Sequence, residues 1–483
     1  MNKKKLTYKY IIAFIIEIIL NILLLYFVSK LNILSIKYYL IIFGILLILE
    51  ITSTIFLFSK NKIIKIIGYI FSLILIIINI SGIYYVVMTN NFLNKSFNND
   101  KKEYTNTFYI LSKKDSDNTL KNLTNSNLGY YIDTPNINQA IKELNYKYKC
   151  NNINYNNIND MFNELDTNIS YILIEKNLYT YTFEIDKTLN KENYSIVYEY
   201  TLTFKEEIIE SINNNTNNSN YIPETNNINI YIGGTDFTNQ LYDFNMIVSI
   251  NKDSHKVLLT SIPRDYHIPV YGKGGRTDNI GYHGALGITT SMKSLEQLLN
   301  IKINYYVRVK TNSLVGVVNA LDGITFCSDK SFYTTHATIL DSYDDTKGDK
   351  LYVEKGCHNY NGIEVLTISR ERLAYSSGDR QRQKNCQSIL ISIFNKATSP
   401  GIIKNYQNLL NSISDLYTTN IPRDTITDYI KDILDNGTNW TFNTQSLDGY
   451  DGSGYVHLTN YKDYIMIPYQ SSINSASYNI KHN

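Results

Sequence analysis

Hydrophobic and polar positions divide this chain into two unlike parts. Through the first ninety residues apolar side chains run almost unbroken, from about Tyr10 to Val28, Tyr38 to Phe58 and Ile63 to Val87. Each run approaches the ~20 residues that an α-helix needs to cross a bilayer, so residues 1–90 are predicted to form three transmembrane helices. Beyond them the apolar runs shorten. Residues 91–107 are polar and read as a juxtamembrane spacer. Within 108–210, strand-like runs at Phe108 to Leu111, Ile169 to Ile174 and Tyr194 to Phe204 alternate with helix-like runs at Ile137 to Leu144 and Ile158 to Leu165. That alternation predicts a small α/β accessory domain. The asparagine-rich stretch 211–227 reads as a linker.

Residues 228–483 carry the same alternation further and predict a second α/β domain. Strands are expected at Ile228 to Ile232, ending in Gly233 and Gly234, then at Phe244 to Ile250 and Val257 to Ile262. A glycine-dense loop from Gly272 to Gly287 follows. Leu295 to Leu299 reads as a helix, Tyr305 to Val309 as a strand, Leu314 to Leu321 as a helix and Ile324 to Cys327 as a strand. The third of these strands leads into Ser261-Ile-Pro-Arg264-Asp265, and strand ends in α/β sheets are where ligands usually sit. Ile421-Pro-Arg423-Asp424 repeats four of the five residues but precedes a helix-like run, so Asp424 reads as a helix cap.

Charge gives the first part an orientation. Lys3, Lys4, Lys5 and Lys9 flank the first span, Lys60, Lys62 and Lys65 lie between the second and third, and Lys30 and Lys37 occupy the remaining loop. By the positive-inside rule the amino terminus is cytoplasmic, which puts the residues after about Asn90 outside the cell. No small-residue cleavage site follows the first run, which argues against a cleaved signal peptide. Glu17 and Glu50 fall inside the apolar runs, where a carboxylate needs a partner, either a neighbouring helix or a lipid headgroup. A formal net charge of +2 gives no indication of nucleic acid. The four cysteines, Cys150, Cys327, Cys357 and Cys386, follow no zinc-site spacing. On the oxidising side of a membrane, a disulfide between Cys327 and Cys357 is open.

Arginine is used sparingly. None precedes Arg264, lysine carries most of the positive charge, and four arginines fall in one stretch: Arg370, Arg372, Arg380 and Arg382. A guanidinium is a rigid planar fork that grips oxyanions in pairs, whereas an ammonium is a mobile point charge. Arg370 and Arg372 have the period-two spacing of an extended segment. Arg380 and Arg382 follow Gly378 and Asp379 and precede an apolar helical run from Ile389 to Phe394. A helix start is itself favourable to anions. A fixed, multiply charged oxyanion such as a pyrophosphate suits this set.

In this order the motifs resemble the LytR-CpsA-Psr family of cell-wall glycopolymer ligases. The resemblance rests on Gly234 to Asp236, Asp243 to Met246, Ser261 to Asp265, the Asp278 to Gly287 loop, Leu321 to Ile324, Ser369-Arg-Glu-Arg372, Gly378-Asp-Arg-Gln-Arg382, Gly437 to Trp440 and Tyr464 to Pro468. Three membrane helices and an extra domain resemble the capsule-assembly branch. The resemblance implies a mixed α/β sandwich catalytic domain. It further implies a membrane-anchored phosphotransferase that moves a glycopolymer from a polyprenyl pyrophosphate-linked donor to a peptidoglycan acceptor, with Mg2+ or Mn2+. Carried over residue by residue, it implies that Arg264, Arg370, Arg372 and Arg382 bind the pyrophosphate, while Asp236 and Asp243 hold the metal or handle the acceptor proton. Arg380 has no counterpart and reads as a bystander or rim contact. Three departures stand out: Leu241 and Tyr242 where an arginine is common, Asn279 where a lysine is usual, and Cys386 where a glutamine is expected. They raise the alternative of a catalytically weakened regulator or assembly protein that binds polyprenyl phosphate.

Overall fold

The computed structural model describes residues 2–97, 103–185, 188–205, 227–235, 241–337, 349–399, 406–410, 417–436, 440–456 and 461–483. Two compact units emerge: Met1–Asn98 with Ile421–Asn439, and Asn99–Asn420 with Trp440–Asn483. In the first, helices Asn2–Leu31, Ile36–Leu57 and Lys62–Phe97 form from the three apolar runs, and each is long and apolar enough to cross a membrane. Several polar groups inside the bundle pair with one another, which limits the cost of cutting them off from water. Glu17 accepts from Ser53 at 2.9 Å and Ser72 at 2.7 Å. Glu50 accepts from Asn21 at 2.7 Å, and Asn79 donates to Asn21 at 2.9 Å. Of the two partners considered for these acids, a neighbouring helix supplies both sets of contacts. A Cβ at Gly68 would lie 2.6 Å from the Phe56 backbone, so glycine is what lets these two helices approach so closely.

Helix Arg423–Asn436 belongs to this same unit. Arg423 donates to Asn90 at 2.8 Å and to the Leu31 carbonyl at 3.3 Å. Asp435 pairs with Lys37 at 2.9 Å and accepts from Ser35 at 2.7 Å. Asp424 lies in the first helical turn rather than at the cap, because helical geometry already begins at Arg423. The expected spacer also takes a different form. The third membrane helix continues to Phe97 and the first strand begins at Glu103, so most of the described residues of 91–107 are in regular structure.

The accessory sheet has five strands: β1 (Glu103–Lys113), β2 (Asn127–Tyr131), β3 (Asn151–Tyr155), β4 (Tyr171–Glu175) and β5 (Tyr194–Lys205), in the order β3-β2-β4-β1-β5. Helix Ile137–Tyr148 packs Ile137, Ala140, Leu144 and Tyr148 on one face, a stripe at helical spacing. The other face carries an aromatic cluster that includes Tyr109, Phe162, Tyr179, Phe183 and Tyr194. All of the linker 211–227 except Asn227 lies outside the described residues.

The larger sheet is built from β6 (Ile228–Thr235), β7 (Tyr242–Asn251), β8 (Lys256–Ile262), β11 (Tyr305–Val309), β16 (Tyr417–Thr419) and β17 (Thr441–Ser446), in the order β16-β11-β6-β7-β8-β17. Both faces are covered. Ile247, Leu258 and Ile262 pack with Leu295 and Leu299 of helix Ile288–Leu299 on one side. Met246, Val248, Val257 and Leu259 pack with Leu390 and Ile391 of helix Asp379–Ala397 on the other. This period-two alternation through β7 and β8 is what a sheet between two helical layers requires.

Smaller ribbons complete the unit. β9 (His267–Pro269) pairs with β10 (Thr277–Asn279), β12 (Ile324–Ser328) with β15 (Gly356–Tyr360), β13 (Phe332–Ala337) with β14 (Lys350–Val353), and β18 (Gly449–Val456) with β19 (Tyr461–Pro468). Cys327 and Cys357 stand directly opposite each other in the β12–β15 ladder and are joined as a disulfide. Much of the glycine-dense loop is therefore the β9–β10 hairpin, with positive φ at Gly272, Gly274 and Gly275 in its turn.

Candidate active site

The antiparallel register of β7 and β8 sets the first pair of charged groups. Asn245 lies opposite Ile262, so two residues further along each strand Asp243 meets Arg264. Pro263 ends the ladder because it has no amide proton to contribute. Arg264 Nη1 donates to Asp243 Oδ1 at 2.6 Å, and its Nε donates to Asp265 Oδ1 at 3.2 Å. The backbone behind Arg264 is equally fixed. Gly281 donates to the Arg264 carbonyl at 2.8 Å. A Cβ at Gly281 would lie 3.1 Å from that oxygen and 3.2 Å from the Tyr242 carbonyl.

The second group comes from the arginine-rich stretch, which is not extended as its spacing suggests. Gly362–Arg370 is a helix, started by a capping box in which Asn361 accepts from the Ile363 and Glu364 amides while Glu364 accepts from the Asn361 amide. Arg370 is its last residue. The chain then turns at Glu371, which is fully buried and accepts from the Ala374 amide at 2.8 Å and the Thr335 hydroxyl at 3.0 Å. Arg372 follows this pinned turn. Gly378, at φ +56°, leads into helix Asp379–Ala397. Asp379 Oδ1 then gathers two guanidiniums, Arg382 Nη2 at 2.7 Å and Arg372 Nε at 3.5 Å.

Electrostatics ties the two groups into one cluster. Burial pushes the Asp243 carboxyl up, but Arg264, Arg382 and Arg372 outweigh it and hold that carboxyl below its ordinary range. Burial raises Asp265, and the nearby Asp379 adds to the effect. Arg372 is shifted down by burial and then by the like charges of Arg382 and Arg264. Guanidiniums brought this close repel one another, and a multiply charged anion relieves that repulsion.

The other expected residues have different surroundings. Arg370 is half-buried and enters no ion pair among the described residues. Arg380 turns to Asp448, with Nε to Oδ1 at 2.9 Å, and to the Gly449 carbonyl at 3.0 Å. Asp236 lies outside the described residues. Asn279 is buried between His267 Nδ1, 3.0 Å from its Oδ1, and the Tyr464 carbonyl, 3.1 Å from its Nδ2. The Cys386 thiol contacts the Ser369 carbonyl at 3.6 Å and is pushed up to about 11 by burial, against the opposing pull of Arg382. It is therefore a thiol rather than a thiolate at neutral pH.

Sequence reasoning missed the roles of Asp379 and Glu371. Their signal was present, because arginines set close together need carboxylates to hold them apart and in place. For a divalent metal, no group of three or more His, Cys, Asp or Glu side chains occurs among the described residues. Mg2+ characteristically takes one or two carboxylates and completes its shell with water and substrate phosphate oxygens. Asp243 fits that demand: it stays ionised, and only its Oδ1 is engaged by Arg264.

Comparison with known proteins adds the following. The model of the LytR_cpsA_psr family matches residues 180–471. A polyisoprenyl-teichoic acid–peptidoglycan teichoic acid transferase TagU from Bacillus cereus is 27% identical over 187 residues, which are 38% of this chain and 57% of that protein. TagU from Bacillus anthracis is 25% identical over 246 residues, 50% of this chain and 76% of that protein. The chain thus spans little more than half of one relative and about three quarters of the other. The crystal structure of B. subtilis TagV aligns with a TM-score of 0.44 at 19% identity, covering 54% of this chain and 98% of that one.

Proposed function

This chain belongs to the LytR_cpsA_psr family, and from that premise we propose that it is a membrane-anchored phosphotransferase acting outside the cell on a polyprenyl pyrophosphate-linked glycopolymer. The acceptor is a sugar hydroxyl of peptidoglycan, and the polymer is of teichoic-acid or capsule type. One observation carries the reading: Arg264 pairs with Asp243 at 2.6 Å, and Arg372 and Arg382, from a part of the chain more than a hundred residues away, gather on Asp379 near enough to help hold the Asp243 carboxyl down. The names of the TagU relatives as teichoic acid transferases support the choice of substrate class. Lysines at the membrane flanks support the outward orientation.

In this reaction the acceptor oxygen forms a bond to the phosphorus that bears the glycan, and the phosphoanhydride bond to the lipid phosphate breaks. Polyprenyl phosphate departs with the electron pair, and the hydroxyl proton passes to a carboxylate of the site or to water. Phosphoryl transfer asks a protein mainly for positioning and charge neutralisation. Arg264, Arg372 and Arg382 would grip the diphosphate oxygens and stabilise the departing phosphate, with Arg370 reaching the same anion from its helix end. Asp243 would fix the Arg264 fork and offer its free oxygen to the metal, with Asp236 as the second acid. Mg2+, when bound, supplies further neutralisation of the diphosphate charge.

The test is transfer of a labelled glycan from a polyprenyl pyrophosphate donor to peptidoglycan by the full chain in a lipid bilayer. Product that requires Mg2+ and is lost in Arg264→Ala is the expected result. Tight binding of polyprenyl phosphate with no transfer in the wild type would overturn the reading in favour of a regulator.

A further inference from the structure

The accessory domain contains no arginine and no histidine, and nothing in its sequence suggests chemistry. Several of its described contacts nonetheless fall on segments that lead to the arginine cluster. Asp133, just after β2, is largely buried and pairs with both Lys273 and Arg276 of the β9–β10 hairpin. Arg276 also reaches the Tyr131 hydroxyl at 3.4 Å and, on its other side, Asp278 at 3.1 Å. Burial works against the Asp133 charge, but Lys273 and Arg276 outweigh it and hold the carboxyl below its ordinary range. It therefore remains an anion across the physiological range.

From Asp278 the chain runs directly behind the site. Ile280 donates to the Tyr266 carbonyl at 2.9 Å and Gly281 to that of Arg264 at 2.8 Å. A side chain at Gly281 would crowd the Arg264 and Tyr242 backbones. The next residue, Tyr282, packs against the accessory domain's aromatic cluster, as do Ala285 and Leu241. Leu241 is two residues from Asp243, and Tyr282 directly follows Gly281, whose amide is bonded to the Arg264 carbonyl. The catalytic-domain members of that cluster are thus drawn from the two segments that flank the Asp243–Arg264 pair.

We propose that the accessory domain is a positioning part of the active site, acting through Asp133 on the Arg276–Tyr282 segment and through its aromatic cluster on Leu241 and Tyr282. Asp133, Leu241 and Tyr282 are positioning residues; none of them touches substrate. They hold the backbone behind Asp243 and Arg264 at the spacing that the diphosphate requires. Displacement of such a support by a fraction of an ångström carries a disproportionate rate cost. The inference rests on the reading of the arginine cluster as a diphosphate site.

Two disruptive variants, Asp133→Asn and Leu241→Ala, and two conservative ones, Asp133→Glu and Leu241→Met, test it in the full chain in a lipid bilayer. The readouts are kcat and KM for a polyprenyl pyrophosphate-linked glycan donor, and hydrogen exchange at the backbone amides of residues 241–246 and 264–283. The disruptive variants are expected to lower kcat about tenfold with KM for the donor within about threefold. Exchange in both segments should rise about tenfold. The conservative variants should recover most of both effects. A disruptive variant in which either kcat or exchange stays at the wild-type value overturns the proposal, as does exchange that rises equally throughout the accessory and catalytic domains. Absence of transfer by the wild type would count against the proposed function, and exchange alone would then decide the coupling.

Discussion

The tetrapeptide Ile-Pro-Arg-Asp occurs twice, at 262–265 and at 421–424, and the two copies do different work. In the first, Ile262 closes a buried strand, proline ends the ladder, and Arg264 projects into a ring of charge against Asp243 and Asp265. In the second, proline precedes a helix, Arg423 is its first residue, and its guanidinium is used up on Asn90 and the Leu31 carbonyl in the membrane unit. Proline before a first helical residue is as natural as proline after a last strand residue, because neither position needs its amide. What separates the copies is what lies beside them in sequence: Val257 to Leu259 is an apolar run in a strand buried from Val257 to Ile262, whereas Thr425 to Leu434 has the apolar spacing of a surface helix. A short motif therefore states its chemistry only through its neighbours.

The contrast can be tested from its strongest consequence down. Arg264→Ala should reduce transfer about a thousandfold or more, the scale of an arginine that stabilises phosphoryl-transfer charge, while Arg423→Ala should leave turnover within about twofold of wild type. Comparable losses in both would erase the distinction. Cys357→Ser removes the cross-link beneath the helix that ends at Arg370. It should lower stability by about 3–4 kcal/mol, from the loop-closure estimate for a loop of this length, measured by thermal melting under oxidising and reducing conditions.

Arg372→Lys should lower kcat by about ten- to a hundredfold, since a point charge replaces a fork. Restoration of the rate by added guanidinium would sharpen the argument for planar recognition. For Asp243 the relevant measurement is melting against pH, wild type beside Asp243→Asn. The folded carboxyl is held below its ordinary range, so the wild-type advantage should be present above the unfolded pKa and disappear as pH falls through the folded one. An advantage that instead grew on acidification would contradict the assigned direction. The smallest effect is expected at Arg423 itself, where loss of its hydrogen bonds should cost the membrane unit about 1–2 kcal/mol.

The sequence made the membrane helices plain, because runs of apolar residues that long have few other fates. The strands from β6 to β8 and β11 were legible too, and so was the pairing of Cys327 with Cys357 as an open option. Strands β2 and β3 were not. Asn127–Tyr131 and Asn151–Tyr155 are written in asparagine and tyrosine, which this chain uses everywhere, so their pattern carries little contrast. Arg370 and Arg372 misled by spacing alone, although Asn361 and Glu364 spell a helix start a few residues earlier. The partnership of Asp133 with Lys273 and Arg276 lay beyond reach. Its members are some 140 residues apart, and nothing local marks an aspartate that will meet two cations.

The position of β17 constrains how the protein comes to be made. Thr441–Ser446 lies parallel to β8 at one edge of a sheet whose centre is written two hundred residues earlier. β16, at the opposite edge, also arrives late. During synthesis the central strands emerge with both flanks unpaired, and hydrogen-bonding edges left open in that way invite association with other chains. The interval until residues 417–446 arrive is therefore the period when this polypeptide most depends on chaperoning, and slow synthesis of that segment should show first as aggregation rather than as lost activity.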